Sequence, residues 1–211
     1  MINQKSVGLL VSILFCVPMV LSAASTEKIR NEKVVVVEQA LQPGEIMTLS
    51  PEHPSVVVYL DNGAIAKSGP IGKPQTTTVK RGETDFEVQG AAIKNTGAAS
   101  LRIVRTEVLS NGSAVKWGRE GLAPDYDLLF ENQYARAYNI KVTAGKTEPL
   151  HSHKDRVVIC LSGAELQHEM ADGRREVATL KTGEIVWRKG VTHIGHNLGK
   201  TDLWAIAIEP K

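Results

Sequence analysis

The chain has 211 residues, with 25 Lys and Arg against 23 Asp and Glu, a formal net charge of +2, 42% hydrophobic residues and 2 cysteines. That length suits one large domain or two small ones, and interspersed charges of both signs give no electrostatic footprint for nucleic acid. Ordinary apolar content with 23% charged residues argues for a packed core, and two cysteines exclude a disulfide-rich scaffold and a four-thiolate zinc site.

Residues 1–24 read as a secretory signal peptide. Lys5 supplies a positive start, residues 7–21 are apolar apart from Gly8, Ser12, Cys16 and Pro18, and Ser22-Ala23-Ala24 offers small residues for cleavage. The apolar run is short and interrupted for a spanning helix, so an uncleaved anchor is the lesser reading. The expected location is periplasmic or secreted, with no stable membrane insertion once the leader is removed. Cys160 then remains as a lone cysteine, expected to be buried as a small hydrophobe.

Beyond the leader, short apolar or β-branched runs recur at 34–37, 56–60, 76–79 and 101–108, and again at 134–142, 157–161, 177–180, 185–187 and 203–208. Turn pairs such as Pro43-Gly44, Asn62-Gly63, Ala144-Gly145, Ser162-Gly163 and Thr182-Gly183 separate them, which predicts an all-β sandwich or barrel. A short helical turn is expected only near residues 125–131. Residues 110–127 are rich in Gly, Ser and Pro and read as a linker, giving units at 25–109 and 128–211. The two units look duplicated: Thr78-Val79-Lys80-Arg81-Gly82-Glu83 parallels Thr179-Leu180-Lys181-Thr182-Gly183-Glu184 at an offset of 101 residues, and Asn95-Thr96-Gly97 parallels Asn197-Leu198-Gly199.

The second unit carries the chemistry. Five of the 6 histidines, His151, His153, His168, His193 and His196, lie in it. His151 and His153 are at i and i+2, which on a strand project from one face, and His193 follows the run at 185–187. Three neutral imidazoles converging from different strands suit a divalent transition metal such as Fe, Mn, Zn, Ni or Cu, with the metal's identity open. His168, in an alternating strand, is expected outside the site, and His196 as a surface or supporting residue. Glu148 and Asp155 are candidates to orient a ligating imidazole. Tyr134, Arg136 and Tyr138 alternate along one strand face that would hold an anion, or equally form an outer surface or dimer contact. Trp187 and Arg188 precede His193 and are candidates to line a pocket. No nucleotide-binding glycine loop and no nucleophile elbow is present.

These spacings resemble the cupin superfamily. Its first motif (Gly, five residues, His-x-His, then Glu and Gly) is matched by Gly145, His151-Ser152-His153 and Gly163, and its second by Gly183, His193 and Asn197. Lys189 stands where proline is usual, Gly190 comes one residue early, and Arg156 falls where the glutamate ligand belongs. The resemblance covers residues 131–209 well and 33–108 weakly, and implies tandem cupin barrels with a degenerate first half. There the ligand positions fall on Ser50, on Glu52 or His53, and on Ala91, Ala92 or Ile93, so no metal is expected; His53 reads as a loop residue. The resemblance implies a metal held by His151, His153 and His193, with Asp155 as the nearest replacement carboxylate. It implies an oxygenase-like, isomerase-like or decarboxylase-like enzyme acting on a small organic acid or carbonyl compound, in a chain that forms homodimers. The alternative is a non-catalytic module that binds a small molecule or metal.

Overall fold

The computed structural model describes residues 25–211; the expected leader at 1–24, including Cys16, lies outside the described residues. The first nine strands are β1 (Ser25–Arg30), β2 (Val34–Leu41), β3 (Ile46–Thr48), β4 (Ser55–Tyr59), β5 (Gly63–Ser68), β6 (Gln75–Val79), β7 (Thr84–Glu87), β8 (Ala92–Asn95) and β9 (Leu101–Val108). The remaining nine are β10 (Asp127–Glu131), β11 (Ala135–Val142), β12 (His151–His153), β13 (Arg156–Ser162), β14 (Ala164–Met170), β15 (Arg175–Leu180), β16 (Ile185–Arg188), β17 (Val191–Asn197) and β18 (Leu203–Pro210). The architecture is all-β, as expected. The one expected helical turn is instead strand β10, which pairs with β11 from Asp127↔Asn139 to Glu131↔Arg136. The pairing supplied by β11 overrides the weak local preference of this segment.

Four antiparallel sheets form, in the orders β1-β2-β9-β4-β7, β3-β8-β5-β6, β10-β11-β18-β13-β16 and β12-β17-β14-β15. The same order therefore occurs twice along the chain. Local bonds recur too. Asn95 Nδ2 donates to the carbonyls of Leu41 and Ala99, and Asn197 Nδ2 to those of Val142 and Thr201. Lys80 N donates to the Glu83 carboxylate, and Lys181 N to that of Glu184.

Why several strands read as unbroken apolar runs becomes clear from their two faces. In β13, Val157, Ile159 and Leu161 face a core shared with the first half, while Val158 and Cys160 face the interior of the second half. In β18, Ile206 and Ile208 take the first direction and Ala205 and Ala207 the second. Strand β4 does the same in the first half, with Val56 and Val58 against the shared core and Val57 and Tyr59 inward. Both faces of these central strands are buried, so alternation of apolar and polar residues is lost. Ile208 is fully buried at this shared core. Ile208→Ala is expected to cost about 2–5 kcal/mol, read as a lowered urea midpoint, because a void there is walled by two packed sheets.

Candidate metal centre

Strands β12 and β17 build the centre. They pair antiparallel with His151 directly opposite His193, and the two-residue period of β12 puts His153 on the same face as His151. All three imidazoles are buried, and one ligand atom from each can be chosen so that all lie within 4.8 Å of one another. His151 Nε2 is 3.0 Å from His153 Nε2 and 3.1 Å from His193 Nε2. The sequence reading thus identified three side chains that the fold brings together.

The surrounding bonds fix which nitrogens carry protons. His151 Nδ1 lies 2.8 Å from the Pro149 carbonyl oxygen, which can only accept, so Nδ1 is the protonated nitrogen and Nε2 presents its lone pair. Tyr138 Oη donates to Glu209 Oε1 at 2.9 Å, so it accepts from His153 Nδ1 at 2.7 Å. His153 Nε2 is then also a bare lone pair. Burial pushes the pKa of both rings below that of a free imidazole, so neither gains a proton near neutrality. Two lone pairs 3.0 Å apart repel unless a cation sits between them. Adjacent ligand atoms about 2.0–2.1 Å from one ion sit roughly 2.9–3.4 Å apart, which the two separations from His151 Nε2 match. The donor set therefore fits a transition metal.

Behind His153 stands a buried polar chain. Glu209, fully buried, accepts from Tyr138 Oη, from the Lys154 amide at 2.9 Å and from Arg136 Nε at 2.8 Å. Arg136 Nη2 donates to the same carboxylate, and Nη1 to the carbonyls of Gly118 and Glu120 at 3.0 Å each. The alternating face, read from sequence equally as an anion site or as an outer surface or dimer contact, is occupied internally: Arg136 is fully buried against Glu209 and is no free cation. Tyr134 precedes β11 and stacks on Phe86 of the first half, with ring centroids 5.7 Å apart.

The remaining expected site residues divide. Glu148 and Arg156 line the cavity beside the histidines, together with His168 and Arg188. Glu148 has room there because residue 195 is glycine; a Cβ at Gly195 would sit 2.3 Å from Glu148 Oε2. Asp155 is turned away from the cluster, accepting from Gly190 N at 2.8 Å and pairing with Lys189 at 3.2 Å and Lys33 at 3.5 Å. Trp187 faces the core shared with the first half, since β16 alternates and places Val186 and Arg188 on the cavity side. His196 alternates away from His193 and bonds Thr147 Oγ1 at 2.9 Å. In the first half, Met47, Ala91 and Ile93 of the corresponding strands and turns are buried in an apolar core, and His53 lies in a bend.

Three contributors escaped the sequence reading. His168 faces inward, its ring 4.3 Å from that of His193; its spacing from Ala164 and Leu166, which pack on the inner core, carried the signal. Tyr126 comes from the segment read as linker, with its Oη 3.2 Å from His151 Nε2. Glu209 lies at the far end of the chain and gave no local signal.

Burial, and next the positive charge of Arg156, pushes the His168 pKa down to about 4. Burial and the neighbouring His168 push that of His193 down to about 3. Both would titrate near 6.5 in the unfolded chain. The unfolded state therefore binds more protons between these values, and stability present above pH 6.5 is lost as pH falls toward 4 and then 3. The melting temperature of chelator-treated protein should drop steadily from pH 7 to pH 4. His168→Gln should make that drop shallower.

No protein-family model matches the sequence, and no curated protein matches it. Solved structures do. A cupin 2 conserved barrel domain protein from Leptotrichia buccalis superposes with a TM-score of 0.59 at 14% identity, covering 90% of this chain and 90% of that one. Oxalate decarboxylase from Bacillus subtilis superposes with a TM-score of 0.57 at 12% identity, covering 84% of this chain and 69% of that one. With a strand order that occurs twice along the chain and these structural neighbours, the chain has the jelly-roll fold of the cupin barrels.

Proposed function

We propose that this chain is an exported cupin protein of two duplicated barrel units, the first degenerate, in which His151, His153 and His193 hold one divalent transition metal. The observation that carries this is the convergence of their Nε2 atoms, at least two of them stripped of protons by the bonds at Nδ1. Three protein nitrogens leave coordination positions open, as in catalytic rather than structural sites. Such a metal supplies a Lewis acid, or a place for O2, to a small molecule bound in the cavity.

The cavity residues suggest what that molecule is. Arg156 is 6% exposed and its Nε is unpartnered. Its Nη1 reaches only the carbonyls of Lys154 and Lys189, at 3.4 Å and 3.2 Å. A buried guanidinium without a carboxylate favours an anion, so a small organic acid is the proposed ligand, steered by Arg156 and Arg188 with Glu148 as the nearest proton carrier. The Bacillus subtilis neighbour, an oxalate decarboxylase with Mn(II) centres, handles such an acid. Arg156→Met should weaken binding of short carboxylates by about tenfold or more while leaving metal content unchanged, measured by calorimetry on metal-loaded protein. Unaltered carboxylate affinity would contradict the assignment.

Binding without turnover is the second reading. It is favoured by the donor group itself, which contains three histidines and no carboxylate. A carboxylic acid screen in the presence of O2 separates the two: product formation that disappears with chelator supports an enzyme, and tight binding with no product supports a binder.

A further inference from the structure

The segment between the two halves is built into the metal centre. Residues 117–126 cross the open edge of β12, where Ser152, lying between two of the histidines, donates its amide to the Gly121 carbonyl at 2.6 Å. Only glycine fits at that crossing: its φ is +78°, and a Cβ would lie 3.1 Å from Ser152 Cβ and 3.2 Å from its carbonyl oxygen. The Arg119 guanidinium then ties the segment to itself, donating to the carbonyls of Tyr126 at 2.6 Å, Pro124 at 2.9 Å and Ala123 at 3.2 Å. At the end of this strap Tyr126 is 2% exposed. Its ring stacks on Tyr138 with centroids 5.6 Å apart and meets the edge of His151 at 5.4 Å.

Tyr126 Oη is 3.2 Å from His151 Nε2, nearly the same separation as those to His153 Nε2 and His193 Nε2, 3.0 Å and 3.1 Å. Two imidazole nitrogens and one phenol oxygen thus lie around His151 Nε2, each at the spacing of neighbouring ligands on one ion. Charge points the same way. Three neutral imidazoles leave a divalent ion's charge uncompensated, and Arg156 adds another cation to the same cavity. Neither carboxylate nearby joins the histidine group: Glu148 is not part of it, and Asp155 is bound to Gly190 and Lys189.

We infer that Tyr126, delivered by the strap, is the fourth protein ligand of the metal, through its phenolic oxygen. This rests on the proposal that the three histidines bind a metal. When the metal–oxygen bond forms, the phenol O–H bond breaks and its proton leaves to solvent; nothing is oxidised or reduced.

The test loads the full chain with Cu(II) or Fe(III), ions whose bonds to phenolate oxygen give intense visible charge-transfer absorption. The expected result is a coloured protein whose resonance Raman spectrum, excited in that band, shows tyrosinate ring modes. Tyr126→Phe, which keeps the buried ring, should still bind one ion with affinity reduced about tenfold but lose the band. Tyr134→Phe, whose ring stacks on Phe86 away from the histidines, should keep it. A band surviving in Tyr126→Phe, or a metal-loaded wild-type chain with no band, overturns the inference while leaving the histidine site standing. A chain that takes up neither ion overturns both.

Discussion

Replacing His193 with alanine is expected to cost the chain its metal. The variant should fall from about one ion per chain to below about a tenth, with affinity reduced more than ~100-fold, since even residues that only orient a metal ligand are worth 10–100-fold. His193 is the sole contribution of β17 to the cluster and sits directly across from His151 in the β12–β17 pairing. Removing it leaves the two imidazoles of one strand, and these close only one side of an ion. The fold should survive. The His193 Nδ1 atom is buried without a partner, so its deletion also relieves an unsatisfied polar group. Competition against a chromophoric chelator measures the loss, with circular dichroism as the control. A variant that keeps a full equivalent at unchanged affinity would show that the ion, if bound, lies elsewhere.

Glu209→Ala is expected to have the largest effect on stability. Arg136 and Glu209 are both fully buried and bonded to each other. Removing the carboxylate strands a guanidinium in the interior, at a cost of about 3–5 kcal/mol, which for a chain of this size lowers the melting temperature by about 10 °C or more. The double variant Arg136→Met/Glu209→Met should recover much of that loss, because it removes both charges and keeps the volume. If the double variant melts as low as the single one, the cost comes from lost shape and not from an unpaired charge. Glu209 also accepts from Tyr138, which in turn holds His153 Nδ1. Tyr138→Phe should therefore weaken metal binding about 10–100-fold while leaving the Arg136–Glu209 pair in place.

How far the sequence foretold this molecule can be judged from particular residues. The fold was legible because its central strands, such as residues 157–161 and 203–208, are apolar on both faces and are punctuated by glycine turns. The histidine cluster was legible because a strand's period of two fixes the faces of His151 and His153 without reference to anything distant. What stayed hidden depends on parity or on tertiary contact. Trp187 and Arg188 are adjacent, and nothing local says which of them faces the cavity; pairing of β16 with β13 settles it for Arg188. His168 needed the same parity, set by Ala164 and Leu166. Tyr126 and Glu209 lie 25 and 58 residues from His151 along the chain, and the strap is held by bonds from Arg119 and Ser152 that no propensity encodes. Segment 110–127 is rich in turn residues, and its composition is that of a linker whether or not it docks.

The central claim is that the second barrel holds one transition metal on three histidines. Elemental analysis of the purified full chain, before and after dialysis against chelator and reloading, tests it most directly. The account predicts about one Mn, Fe, Ni, Cu or Zn per chain, removable by chelator, restored on reloading, and absent from His193→Ala. A folded wild-type chain that carries no metal and takes up none of these ions would contradict it.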